Sequence, residues 1–298
     1  MATAVVPPSP PAQPTALILS LRTAALALLI LCAIFVEEYA KAGFSPSVLR
    51  SVDGGAFAAV HASVARGAGG AGGPISFNAV STTMGRATLG AALRSVAPQL
   101  RDVDYLTLIS DNPATAAATL AVFADVPCNC TKLFIANARG LGDWGHRALN
   151  RYLPLLPGTF ATLFDDDDLY AADAFARIRA RVTTRDPHLY VFRLIRFWDG
   201  VVEIIPPFST REVWQLRPHF IAKVNGVFRN TGDLPAFGYT YLGDAQFYMD
   251  LIMRLGSEGV TVCDDVVYHQ GQDRELWPHL PGLIAQAASG APSAPTAS

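Results

Sequence analysis

Apolar and polar positions along the chain switch repeatedly between a period of about two and a period of about 3.6. "ISFNAVSTT" (Ile75 to Thr83) is a β-rich run, and Leu89, Leu93, Val96 and Leu100 follow at helical spacing, so a strand feeds a helix. "YLTLIS" (Tyr105 to Ser110) reads as the next strand, "ATAAATLAVFA" as a helix, "KLFIANA" as a strand, "HRALNRYLPLL" as a helix and "TFATLF" as a strand. This alternation predicts a parallel α/β sheet with helices on both faces, whose ligands bind beyond the carboxyl ends of the strands. Further on, "AADAFARIRARV" (Ala171 to Val182) reads as a helix, and "YVFRLIRFW" and "VVEII" flank Asp199 and Gly200 as a β-hairpin. "GDAQFYMDLIMRLG" (Gly243 to Gly256) predicts a helix with Asp244 as its cap, and "VTVCDDVVYHQG" a closing strand with His269 at its end.

The two ends follow neither period. Residues 1–14 are proline-rich, and Thr15 to Val36 is an apolar run interrupted only by Arg22, long enough to span a bilayer. The expectation is a signal-anchor, with a cleaved signal peptide as second reading because "AKA" (Ala40 to Ala42) resembles a signal-peptidase site. A buried or amphipathic helix suits an all-round apolar run least. Arg22 on the N-terminal side of the run and Glu37 and Glu38 after it put the N-terminus in the cytoplasm and the rest in a lumen, of the Golgi or endoplasmic reticulum in a eukaryote. Secretion is the second choice. Residues 37–73, with "RGAGGAGGP", read as a linker or stem, 74–275 as the folded domain and 276–298 as a disordered tail.

Composition narrows the function. A 298-residue chain that is 51% hydrophobic can bury a sizeable core, and a net charge of -2 without a basic, aromatic-interleaved run argues against nucleic acid as a partner. Cys32, Cys128, Cys130 and Cys263 are too few and too irregularly spaced for a disulfide framework or a closed zinc site. "NCT" (Asn129 to Thr131) fits the N-glycosylation pattern, which matters only in the secretory pathway.

The sharpest local feature is "ATLFDDDDLY": Asp165, Asp166, Asp167 and Asp168 stand in a row directly behind an apolar strand. Adjacent carboxylates repel, and Asp is a poor strand former. A bound divalent cation would offset the repulsion, because hard cations take carboxylate oxygens. A charge run is more commonly a solvated loop, but its position behind a buried strand favours a metal site.

These elements resemble the nucleotide-sugar glycosyltransferases of the GT-A fold, particularly the family-2-like group, over roughly residues 75 to 272. The resemblance is carried by "GDWGHRALNRYLPLLPGTFATLFDDDDLY", where Trp144, Gly145, His146 and Asn150 match, by Asp165 and Asp167 as the Asp-x-Asp pair, by "GDAQF" as the acidic helix start and by "VVYHQG" as the closing strand. It implies a GT-A type, Rossmann-like mixed sheet flanked by helices, behind the N-terminal membrane segment. It also implies metal-dependent sugar transfer, with inversion, from a nucleotide-sugar donor (a UDP-sugar by default) to a hydroxyl acceptor on a glycan, lipid or protein.

The resemblance assigns Asp165 to the ribose or base side of the donor, with Asp166 beside it, and Asp167 to Mn²⁺ or Mg²⁺. His269 completes the metal or diphosphate shell, a plain strand-end histidine being the even alternative. A run of four aspartates leaves the register open, so Asp166 or Asp168 can take the metal place. Asp244 takes the role of general base, compatible with a plain helix cap. Asp111, in "LISDNP", matches the acidic residue that contacts the base, although Asn112 and Pro113 replace the usual second aspartate. Arg86 stands where a basic residue meets the diphosphate, and a surface arginine fits that position equally. Trp144 and His146 are read as packing and capping residues, and "STREVWQLRPHFIAKVNGVFRN" (Ser209 to Asn230), where acceptor contacts would lie, has no assignable pattern.

Two other classes compete. The haloacid-dehalogenase phosphatases also place Asp-x-Asp after a strand, but they carry Thr or Val where this chain has Leu169. The stronger rival is a non-catalytic lumenal carbohydrate-binding or scaffolding protein on the same fold. Asp244→Asn separates it from an enzyme.

Overall fold

The computed structural model describes residues 48–52, 74–183, 187–198, 201–271 and 282. The expected membrane segment at 15–36, the turn at 199–200 and most of the tail lie outside the described residues, among which no helix is long and apolar enough to cross a membrane.

The strands are β1 (Val48–Val52), β2 (Phe77–Thr83), β3 (Tyr105–Ser110), β4 (Thr131–Ala136), β5 (Phe160–Phe164), β6 (Leu169–Tyr170), β7 (Leu189–Trp198), β8 (Val201–Ile205), β9 (Gly226–Arg229) and β10 (Val260–Gln270). The helices are α1 (Leu89–Val96), α2 (Ala116–Asp125), α3 (His146–Tyr152), α4 (Ala174–Arg181) and α5 (Gly243–Leu255). One sheet runs in the order β1-β4-β3-β2-β5-β9-β7-β10-β6, with β8 paired to β7. The first five strands of that order are mutually parallel, as the strand–helix alternation predicts. β9 then runs antiparallel to both β5 and β7, and β10 is parallel to β7 but antiparallel to β6, so the sheet is mixed. Trp198 pairs with Val201, the register a two-residue hairpin turn requires. β1 falls inside the stretch read as linker: five of those residues pair with β4 instead.

Alternation along the strands divides the core between the two faces. Phe77, Ala79, Leu106 and Leu108 pack with Leu93 of α1, Phe123 of α2 and Phe175 of α4. Val80, Ile109 and Leu163 point the other way, to Leu149 of α3 and Phe247 and Leu251 of α5. Burying each of the Val, Leu, Ile and Phe side chains among these contributes about 1.5–3 kcal/mol. Polar atoms within this core are paired: Asn78 donates to Pro157 O (3.0 Å) and accepts from Thr107 Oγ1 (2.9 Å), and both oxygens of buried Asp104 accept main-chain N–H groups, from Phe77 (2.9 Å) and Arg101 (2.8 Å). Cys128 and Cys130 are joined in a disulfide just before β4, a local link rather than a framework, and Cys263 is a buried free thiol.

Candidate active site

The carboxyl ends of β2, β3 and β5 open into a cleft of about 1010 Å³. Its lining includes Thr83, Arg86, Asp111, Trp144, the four aspartates Asp165 to Asp168, Lys223, Tyr241 and Asp244. Of the residues expected at the site, Arg86, Asp111, Asp165, Asp166, Asp167 and Asp244 therefore share one cavity. His269 does not line it.

The repulsion within the acidic run is offset in part by the protein's own groups. Asp165 forms an ion pair with Lys223. Asp166 accepts from Thr83 Oγ1 at 2.5 Å and lies 3.3 Å from Arg86, and Asp167 pairs with Arg86. Asp168 accepts from Gly271 N–H at 2.7 Å, but burial, reinforced by Asp165, pushes its carboxyl up to about 8. Burial also raises Asp167; Arg86 pulls it back, and Asp165 and Asp166 add to the rise. Asp165 N–H donates to the hydroxyl of buried Tyr268 at 2.8 Å, which fixes the chain as it leaves β5.

Lys223 lines the cleft and was missed by the sequence reading. Its ammonium is buried against Asp165, and its main-chain N–H donates to Asp244 Oδ2 at 2.9 Å, so one residue joins the acidic strand end to the start of α5. Burial alone would lower this ammonium; Asp165, with Asp244 and Asp166, more than reverses that and raises it. The available signal was a lone lysine in the apolar stretch "FIAKV", since an unpaired charge is costly to bury.

Asp244 lies in the first turn of α5 rather than at its cap, which is Leu242, and a carboxylate there is favoured by the helix dipole. Its Oδ1 accepts from Ala245 N–H at 2.8 Å. Gly243 beside it has no room for a side chain, because a Cβ would run into Gly238 O and His146 Nδ1. His146 is buried, bonded through Nδ1 to Gly238 O at 2.8 Å and stacked on Phe237, the packing role expected of it. Burial, then Lys223, lowers its pKa, and Asp244 opposes them. Trp144 departs from expectation: it is exposed at the cleft rather than packed.

Asp111 and His269 have further surroundings that the sequence did not show. Asp111 is buried, and its carboxylate is taken up by Asn137 Nδ2 (2.7 Å), Leu141 N–H (2.9 Å) and Gly142 N–H (2.8 Å), so in this structure it holds the loop before α3. His269 is buried one residue before the cleft-lining Gln270, near Arg177 of α4 and Asp173, the residue that precedes that helix. Burial, then Arg177, lowers its pKa to about 4.

Among the described residues no group of three or more His, Cys, Asp or Glu is placed to enclose a metal ion. A cation carried in on a diphosphate needs only one or two carboxylates, and the half-exposed Asp167 facing the cleft fits that smaller demand.

No family model matches the sequence, and no curated protein matches it. Solved structures do match. Residues 1–349 of Staphylococcus aureus TarS align over 74% of this chain and 67% of that one, at 14% identity and a TM-score of 0.52. The same fragment has been solved with UDP (15% identity, TM-score 0.53) and with UDP-GlcNAc (14%, 0.51), again with 74% of this chain aligned. Against the longer TarS structure the TM-score is 0.54 at 16% identity, and this chain spans 41% of its length.

Proposed function

The GT-A fold is the premise, and from it we propose that the chain is a glycosyltransferase that moves a sugar from a nucleoside diphosphate to a hydroxyl acceptor. The observation that carries the reading is that Lys223 bonds both Asp165 and Asp244, so the acidic strand end and the acidic helix start face one cleft as a single unit. The likeness of fold to TarS solved with UDP and UDP-GlcNAc supports a nucleotide-sugar donor.

In the transfer, the acceptor oxygen attacks the anomeric carbon, a glycosidic bond forms, the bond from that carbon to the diphosphate oxygen breaks, and the nucleoside diphosphate departs with the electron pair. Asp244 takes the hydroxyl proton; the N–H groups of Lys223 and Ala245 fix its orientation. A single in-line attack inverts the anomeric centre. Arg86, exposed at the cleft, offers a guanidinium suited to the departing phosphates, with Asp167 holding it in place beforehand. A divalent cation, when bound, supplies Lewis-acid neutralisation of the diphosphate, with Asp167 and Asp165 as the carboxylates that would hold it.

The test screens the protein against nucleotide sugars with Mn²⁺ or Mg²⁺ and with EDTA, scoring nucleotide release and thermal shift. Asp244→Asn should cut turnover by about 10²-fold or more while keeping the nucleotide-induced shift. Asp167→Ala should lose both. A protein that no nucleotide stabilises is not a glycosyltransferase, and one that binds donor but is indifferent to Asp244→Asn belongs to the non-catalytic class.

A further inference from the structure

The rim of the cleft beside Asp244 carries aromatic surface that the fold itself does not use. Trp144 is 62% exposed and Tyr241 74%, both line the cleft, and their rings meet edge to face with centroids 6.3 Å apart. Tyr241 stands three residues before Asp244. Trp144 also holds a φ of 53°, next to Asp143 at 54°, a left-handed conformation that costs a non-glycine residue about 1–2 kcal/mol. Strain of this kind persists only where its surroundings over-determine it.

Here they do. Asp111 clamps the N–H groups of Leu141 and Gly142, and Asp143 pairs with Arg147. Gly145, at φ 82°, closes the turn against Thr82, where a Cβ would collide with that side chain. The loop carrying Tyr241 is tied to the same helix: Asn150 Nδ2 donates to Phe237 O at 2.9 Å and its Oδ1 accepts from Phe237 N–H at 2.7 Å, while His146 bonds Gly238 O. Gly238 N–H in turn donates to Gly243 O, at the first residue of α5. Two loops distant in sequence thus hold an exposed ring pair at fixed geometry next to the proposed base.

We propose that Trp144 and Tyr241 form the acceptor subsite and that the acceptor is a saccharide, one pyranose ring of which lays its C–H face on the indole so that a neighbouring hydroxyl reaches Asp244. The inference rests on the glycosyl-transfer reading. Flat rings bordered by hydrogen-bonding groups suit a sugar, which is apolar on its ring faces and polar around its edge. An acyl chain would need a continuous aliphatic channel, whereas this lining mixes Ile221 and Leu242 with Asp244, His219 and Arg196. The cleft volume of about 1010 Å³ is at the top of the range for one small ligand, about 300–1,000 Å³, which leaves room for donor and acceptor ring together.

The experiment uses the full chain, saturated with the donor found in the screen above, and a panel of methyl glycosides and disaccharides as acceptor probes. At least one probe should accelerate nucleotide release. Trp144→Ala and Tyr241→Ala should each raise the KM for that probe about tenfold or more, with nucleotide affinity within twofold of the parent. Trp144→Phe, which keeps a flat ring, should recover most of the loss, and Tyr241→Ala, at a surface side chain, keeps the test valid if Trp144→Ala does not fold. Nucleotide binding without response to any saccharide, transfer to a lipid or peptide instead, or saccharide kinetics unmoved by both alanine variants overturns the subsite. Absence of nucleotide binding overturns the transfer reading, and the subsite with it.

Discussion

A side chain's burial decides its chemistry here more than its motif does. The resemblance implied a metal or diphosphate ligand at His269, with a plain strand-end histidine as the even alternative; the side chain is buried beside α4, and its pKa is lowered to about 4. The ordinary histidine value is near 6.5, so between pH 6.5 and 4 the unfolded chain binds a proton that the folded chain does not, and stability falls as pH drops through that window. At about 1.36 kcal/mol per unit, the loss from this residue approaches 3 kcal/mol by pH 4. Thermal melts of the parent and His269→Gln across pH 7 to 4 should therefore converge toward the acid end; parallel curves would show that His269 does not titrate in this way. The aspartate run was legible as a site because four carboxylates behind an apolar strand break the expected pattern. Its partners were not, because Arg86 and Lys223 come from distant segments and only the folded chain brings them together.

Elements long enough to show their period were legible, from β2, β3, β4 and β5 to helices α1 through α5. β6 has two residues and β9 four, too short for alternation to register, and β1 was hidden in a small-residue stretch read as linker. What fixes the irregular segments is hydrogen bonding to side chains, which no hydrophobic pattern records. Arg193, fully buried in β7, is the clearest case: it donates to the carbonyls of Pro206 (2.7 Å), Pro207 (2.6 Å) and Thr210 (3.0 Å) and to Asp264 (2.7 Å), holding the chain that follows β8. Arg193→Met should cost about 3 kcal/mol, since three carbonyls, those of Pro206 and Thr210 buried, lose a charged donor at once. Asp264→Asn should cost less than about 1 kcal/mol, because that carboxylate is half exposed and screened. Urea denaturation of both variants checks the ranking, and equal losses would mean that the ion pair, not the carbonyl clamp, matters.

At the scale of the whole molecule, the sequence indicated sheet-and-helix layering and a site at the strand ends, while strand order lay beyond its reach because pairing joins residues far apart in the chain. That order includes β10 seated between β7 and β6, the last strand of the described chain placed inside the sheet instead of at its margin. During synthesis, every intermediate chain that ends before Val260 therefore exposes open strand edges on β7 and β6 and leaves Tyr170, later covered edge to face by Tyr268, without that neighbour. Unpaired edges of this kind invite association with other chains. Of two chains that both lack residues 1–42, the one stopped at Gly259 should accumulate as aggregate or be degraded, whereas the one continued through the C-terminus should yield soluble, cooperatively melting protein; equal solubility of the two would refute it. Ribosome-bound chains of this protein thus keep those two edges open until almost the entire folded domain has emerged.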